Sequence, residues 1–209
     1  MNKGRFIVFE GGEGSGKTRH SKYAVEKLRK AGHDVLLTHE PGGTEIGKMI
    51  RQIILHENDV EVSARTELFL FLADRAQHIE EVIRPALEQG KLVVCDRFSG
   101  STFAYQFGGR QLPDKDEIFA MDAYARAGIE PELVIYLDID PKIGIQRKEE
   151  NPKDLNRMDK QELAFHQRVH DYFQQLTQEN EDWVGISTDC PKDESAEKVY
   201  KTIIERLSL

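Results

Sequence analysis

The chain has 209 residues, 39% of them hydrophobic, which suffices for one sizeable core, and no composition break marks a linker, so a single domain over 1–209 is expected. A net charge of −8 speaks against general nucleic-acid binding, which leaves a basic surface, and no apolar run approaches the ~20 residues of a membrane span. Cys95 and Cys190 are the two cysteines, too few for a disulfide framework or zinc site, and a cytoplasmic, reducing setting is the expectation.

The first predicted element is a buried strand, Phe6 to Phe9. Behind it stands Gly11-Gly12-Glu13-Gly14-Ser15-Gly16-Lys17-Thr18, a match to G-x-x-x-x-G-K-[ST]. That pattern cradles phosphates: glycines let backbone N–H groups turn inward, the Lys spans the outer phosphates, and the hydroxyl helps hold magnesium. A helix follows, with Tyr23, Ala24, Lys27, Leu28 and Ala31 at helical spacing up to a stop at Gly32. A second strand, Val35 to Thr38, leads into His39-Glu40-Pro41-Gly42-Gly43-Thr44 and helices over Thr44 to His56 and Ala64 to Gln89. On the latter, Phe71 and Arg75 stand four apart and share a face, where a ring could stack on a base and a cation bond its edge. An aromatic on a helix stripe more often packs into the core, and the spacing leaves both readings open.

The third strand, Leu92 to Cys95, ends in Asp96, a carboxylate placed to hold magnesium beside Thr18, followed by Arg97, whose planar fork suits phosphate oxygens. Gly108 to Pro113 is a turn-rich connection, Asp116 to Ala127 a helix, and Leu133 to Leu137 the fourth strand. Asp140 is an N-cap before Pro141 for a helix to Glu149, and Asp159 with Glu162 resembles a capping box for a helix to Gln178. Between those helices, Lys148 to Asn156 is charged and proline-broken, and reads either as a solvated loop or as a substrate lid. Val184 to Ser187 is the fifth strand.

Strands that are apolar throughout, alternating with helices, predict a doubly wound α/β fold with a parallel sheet and ligand sites past the strands' carboxyl ends. The phosphate loop alone does not separate a switch, a motor and a small-molecule kinase. A GTPase switch is disfavoured because Asn156-Arg157-Met158-Asp159 imitates N-K-x-D without a preceding strand, and the only D-x-x-G, Asp182 to Gly185, comes after it.

Taken together, the motifs resemble those of the thymidylate kinase family over essentially the whole chain. They are F-E-G-x-E-G-S-G-K-T at 9–18, E-P-G-G-T at 40–44, I-R at 50–51, L-F-L-F-L-A-D-R-A-Q-H at 68–78, D-R-F-x-x-S-x-x-A-Y-Q at 96–106 and Y-L-D at 136–138. The resemblance implies a P-loop kinase fold, a five-stranded parallel sheet flanked by helices on both faces with a lid near 147–158. It implies transfer of the γ-phosphate of ATP to dTMP, with Mg2+, in a homodimer. A kinase for another nucleoside monophosphate, or a nucleotide-dependent switch, is the alternative.

Carried over by position, Gly11, Gly12, Glu13, Gly14, Ser15, Gly16, Lys17 and Thr18 would hold the ATP phosphates, with Thr18 and Asp96 on the metal and Arg147 on the ATP side. Arg51 and Arg97 would clamp the dTMP phosphate, Phe71 stack on thymine, and Arg75 bond its carbonyl edge, with Glu40 in the same substrate-binding set. Thr102 and Gln106 would address the imide edge, Tyr105 would pack on the sugar, and Glu13 would face the sugar and transfer region. The resemblance gives Lys17, Arg97, Glu13 and a lid cation, Arg157, the catalytic roles. Some relatives carry an arginine within the loop; Gly14 occupies that position here, so the cation is expected from Arg147, Lys148, Lys153 or Arg157. His39, Phe98 and Asn156 depart from the usual arginine, tyrosine and aspartate, and Asn156 leaves Arg157 without an evident carboxylate partner.

Overall fold

The computed structural model describes residues 4–55, 61–150 and 155–209. Five strands, β1 (Arg5–Glu10), β2 (Val35–His39), β3 (Leu92–Asp96), β4 (Leu133–Asp138) and β5 (Trp183–Ser187), form one sheet in the order β2-β3-β1-β4-β5. Every pairing is parallel, with Phe9 opposite Asp96 and Val134 opposite Trp183 fixing the register on either side of the centre. Parallel neighbours need crossovers, and helices supply them on both faces.

The sheet is apolar on both faces because both are covered. Ile7, Phe9, Val94 and Ile135 pack with Leu28 of α1 (Lys17–Lys30) and Val199 and Ile203 of α9 (Lys192–Leu207). Phe6, Val8, Val93 and Cys95 point the other way, onto Ile79, Ile83 and Phe98. A third cluster joins Leu68 and Leu72 of α3 (Ala64–His78) to Phe103, Tyr105, Phe165 and Phe173, and walls one side of the cleft above the strand ends.

The remaining elements are α2 (Glu45–Leu55), α6 (Lys115–Arg126), α7 (Pro141–Glu149) and α8 (Leu163–Glu179). The helix read as continuous from Ala64 to Gln89 is three pieces: α3, a π-helical turn over Ile79–Ile83, and α4 (Arg84–Glu88). Pro85 is the physical reason. It has no N–H, and its ring would strike the carbonyl four residues back in a regular helix, which the wider turn relieves.

Asp140 caps α7 as read, its Oδ1 accepting the N–H of Lys142 at 2.8 Å. The Asp159–Glu162 capping box does not form: α8 begins at Leu163 with no side-chain cap, and Asp159 Oδ2 instead accepts the N–H of Asn156 at 2.8 Å. Ser99–Gly109 is helical, as α5 (Ser99–Thr102) and a second π-helical segment (Phe103–Gly109), although its glycines give it weak intrinsic preference.

Candidate active site

The phosphate loop leaves β1 and enters α1 through Gly14 and Gly16, both with positive φ (68° and 85°). Inside it, the Lys17 ammonium donates to the carbonyls of Gly11 (2.9 Å) and Gly12 (2.8 Å) and to Ser15 Oγ (3.3 Å). Burial, with Arg97 nearby, pushes Lys17 down to about 8 despite the attraction of Glu13, Asp96 and Glu10. A buried cation whose hydrogen bonds among the described residues go to carbonyls and a hydroxyl is well suited to receive an anion.

Beside it, the Thr18 hydroxyl donates to Asp96 Oδ2 at 2.6 Å. These two hard oxygen ligands fit Mg2+, which keeps waters and takes phosphate oxygens, needing only one or two protein groups. Among the described residues no cluster of three or more His, Cys, Asp or Glu offers an all-protein metal cage.

Arg97 leaves β3 with φ 74° and turns its guanidinium back over the loop. Its Nη1 donates to the Gly11 carbonyl (3.1 Å) and Ser101 Oγ (3.0 Å), and its Nη2 to Glu13 Oε1 (2.8 Å) and Tyr105 Oη (3.2 Å). The Tyr105 hydroxyl also donates to Glu13 Oε1 at 2.7 Å, with the Arg97 guanidinium 5.0 Å above the tyrosine ring. Burial would raise Glu13, but the charges of Arg97 and Lys17 and the tyrosine hydrogen bond hold it at about 2. Burial chiefly pushes the Tyr105 hydroxyl well above its usual range, so it stays protonated as a donor.

Under this knot sits Glu10, the last residue of β1, to which the sequence motifs assign no role. It is fully buried, its Oε1 accepting the N–H groups of Phe98 and Ser101 (both 2.9 Å) and its Oε2 the Ser101 hydroxyl (2.6 Å). Burial pushes it up to about 6 against those hydrogen bonds. Its place in the F-E-G run was the available signal.

At the far side of the cleft, Arg75 is 2% exposed. Its Nε donates to Glu40 Oε2 and its Nη1 to Thr102 Oγ1, both at 2.9 Å, and Nη1 also to Asp122. Among the described residues those bonds use Nε and Nη1, so Nη2 is the donor left for a ligand. Glu40 holds Arg75 and, through Oε1, His78 Nδ1 at 2.9 Å. Phe98 lies under the Arg75 guanidinium at 4.9 Å, a contact that needs no tyrosine hydroxyl. Arg51 donates to the Pro41 carbonyl at 2.8 Å.

A cavity of about 780 Å³ brings these groups together. Its walls include Glu13, Gly14, Ser15, Gly16, Lys17, Thr18, Glu40, Arg51, Phe71, Arg75, Asp96, Arg97, Thr102, Tyr105, Gln106 and Arg147. Gly11 and Gly12 are not among its walls; their carbonyls are taken by the Lys17 ammonium, which is. Arg147 donates to the Thr188 carbonyl at 3.1 Å, and Lys148, also on the wall, pairs with Asp159 at 3.3 Å.

Arg157 stands apart from the cavity lining. Its Nε donates to the Ile54 carbonyl at 3.0 Å and its Nη2 to Glu67, so it has a carboxylate partner after all. Glu67 is distant in sequence and no local pattern announces the pair. Lys153 and His56 lie outside the described residues.

Gly14 is closed to any side chain for a reason the sequence did not show. A Cβ there would lie 2.6 Å from the carbonyl carbon of Gly144 in α7 and 2.7 Å from its Cα, with the oxygen nearer still. The two glycines let the phosphate loop and the helix bearing Arg147 and Lys148 touch backbone to backbone.

The family model for thymidylate kinase matches residues 9–199. The chain belongs to the thymidylate kinase family. It is 42% identical over 207 residues to the thymidylate kinase of Lacticaseibacillus casei, covering 97% of this chain and 96% of that one. The thymidylate kinase of the Aster yellows witches'-broom phytoplasma is 44% identical over 203 residues, with the same coverage of 97% and 96%. In structure, the thymidylate kinase of Ehrlichia chaffeensis superimposes with a TM-score of 0.78 at 29% identity, covering 99% of this chain and 100% of that one. The sheet and surrounding helices are therefore the thymidylate kinase fold.

Proposed function

We propose that this chain transfers the γ-phosphate of ATP to dTMP, giving ADP and dTDP. The observation that carries the reading is the composite cleft: a phosphate loop and the Thr18–Asp96 pair, a wall that includes Phe71, Arg75, Thr102 and Gln106, and the Arg97–Glu13–Tyr105 knot. The acceptor is already an ionised phosphate, so no strong general base is needed, and alignment with charge neutralisation supplies the catalysis.

In this reading Lys17 and the loop N–H groups hold the β- and γ-phosphates, and Thr18 and Asp96 hold Mg2+, which neutralises charge on the triphosphate. Arg97 and Arg51 hold the acceptor phosphate, Arg97 exchanging its carbonyl and hydroxyl partners for phosphate oxygens. Glu13, ionised, keeps Arg97 and Tyr105 in place and faces the sugar. Arg147 serves the ATP side. The extra cation comes from the Arg147–Lys148 end of α7, with Arg157 able to contribute only after leaving Glu67.

The test is ADP release with ATP and Mg2+ against dTMP, dUMP, dCMP, dGMP and AMP. A clear preference for dTMP is expected; preference for another acceptor overturns the substrate, and nucleotide affinity with no ADP formed overturns the chemistry.

A homodimer is proposed with it, formed through α2 and α3. Ile46, Met49 and Ile53 recur at helical spacing on α2 and are 49%, 64% and 48% exposed, beside Phe69 at 58%. Light scattering on the purified protein should return twice the 23.9 kDa chain mass; a monomer refutes it. No described helix is long and apolar enough to cross a membrane. Cys95 and Cys190 are both free thiols, which suits the proposed reducing cytoplasm.

A further inference from the structure

Glu67 is fully buried on α3 and accepts from three side chains. Its Oε1 takes the amide Nε2 of Gln106 at 3.0 Å and Arg110 Nε at 3.1 Å; its Oε2 takes Arg110 Nη2 at 3.2 Å and Arg157 Nη2. A carboxylate facing two guanidinium groups is an acceptor at every lone pair, so the Gln106 group it meets must be the NH2. The orientation of the Gln106 amide is thereby dictated chemically. Gln106 lines the cleft, and with its Nε2 taken by Glu67 the amide group left for a ligand is Oε1.

We propose that Glu67 is the positioning residue that sets the polarity of base recognition, holding Gln106 so that its carbonyl oxygen meets the ligand as an acceptor. This rests on the dTMP kinase reading and deepens it. Thymine and uracil present N3–H, a donor, to such an oxygen. Cytosine presents a bare N3, and acceptor meets acceptor. A buried polar group left facing the wrong partner is the strongest source of discrimination a pocket has. Arg110 is fixed in turn by Gln161 Oε1 at 2.7 Å and by the Phe165 ring at 4.9 Å, so Glu67 cannot turn away without stranding a guanidinium.

The test is Glu67→Gln, equal in shape but with an amide of its own, which loses the rule that Gln106 must donate to it. The expected result is a fall of about tenfold or more in the dTMP:dCMP ratio of kcat/KM, carried by a raised KM for dTMP, with KM for ATP unchanged. A ratio within twofold of wild type, or an equal loss for both nucleotides, overturns the proposal. The unaltered protein gives a second reading that does not depend on the variant folding. N3-methylated dTMP has no donor at N3 and should be phosphorylated at least about tenfold less efficiently than dTMP; parity overturns the proposal. Preference of wild type for a nucleotide other than dTMP would instead refute the function reading, so the two failures are distinguishable.

Discussion

Gly14 and Gly12 lie two positions apart in the phosphate loop and should respond to alanine in opposite ways. At Gly14 the backbone has φ 68°, where a Cβ costs about 1–2 kcal/mol. The new methyl would also sit 2.6 Å from the carbonyl carbon of Gly144 and nearer still to its oxygen, against the 3.4 Å or more of ordinary contact, so α7 must retreat by more than the ~0.8 Å the carbon alone requires. Overpacking of that kind costs a further ~1–3 kcal/mol. Gly14→Ala should therefore lose about 2–5 kcal/mol. At Gly12 a Cβ meets nothing within 4 Å and φ is not positive, so Gly12→Ala should stay within about 0.5 kcal/mol of wild type. Urea unfolding of both variants without nucleotide reads the difference directly. Because α7 carries Arg147 and Lys148, Gly14→Ala should also raise KM for ATP. A loss below about 1 kcal/mol at Gly14, or equal losses at the two sites, would show that the Gly14–Gly144 contact does not constrain the loop.

Arg97→Ala should lower kcat by roughly 10²-fold or more with ATP affinity largely kept, since its contacts strengthen as charge moves between phosphates; near-normal turnover in steady-state kinetics rejects the role. Tyr105→Ala should relax discrimination between dTMP and its ribose counterpart, and an unchanged kcat/KM ratio counts against sugar packing. Asp74→Asn should stabilise the protein at pH 8. Burial and neighbouring Glu40 push the Asp74 carboxyl from 3.8 up to about 6, so its favourable contribution is complete below 3.8 and is lost as pH rises through 6. Its Oδ1 accepts the Gly42 N–H at 3.0 Å while Oδ2 is buried without a partner. An amide keeps the first bond and removes the charge, for a gain of about 1–2 kcal/mol at pH 8 that vanishes below pH 4; thermal melts showing no gain at pH 8 sink this account.

Local signals carried most of the fold. The central strands β3, β1 and β4 were legible because burial on both faces leaves a continuous apolar run, the edge strands β2 and β5 from shorter apolar runs, and α1 and α7 because their ends carry a glycine stop and an Asp–Pro start. Local reasoning failed where the stabilising partner is far away. The Ser99–Gly109 segment is held helical by Glu10, 91 positions from Ser101. The capping box failed for a nearer reason: Asp159 is taken by the N–H of Asn156 and by Lys148 of α7. In the site, the groups that face the cleft were readable from motifs; behind them, Glu10 and His78 stood in motifs that gave them no role, and Glu67 and Asp122 stood in none. A buried carboxylate on a helix or at a strand end looks like any surface acid in sequence; only its distant donors reveal it.

That division has a consequence for how the cleft works. Arg75, Arg97 and Arg157 are each already paired with a buried or half-buried carboxylate: Glu40 and Asp122, Glu13, and Glu67. Unpaired, Arg75 and Arg97 would repel each other across the cleft and the side chains would wander; paired, all three are fixed before any ligand arrives. The pairs differ in what a phosphate can displace. Arg75, at 3% side-chain exposure, is locked among three oxygens, which among the described residues leaves only its Nη2 for a ligand. Arg97, at 19%, holds two of its partners through a backbone carbonyl and a hydroxyl, which an anion can replace while Glu13 stays in place. The same residue type is thus held rigidly at one end of the cleft and exchangeably at the other, according to the charge and burial of what holds it, which under the proposed function suits a base reader and a phosphate clamp.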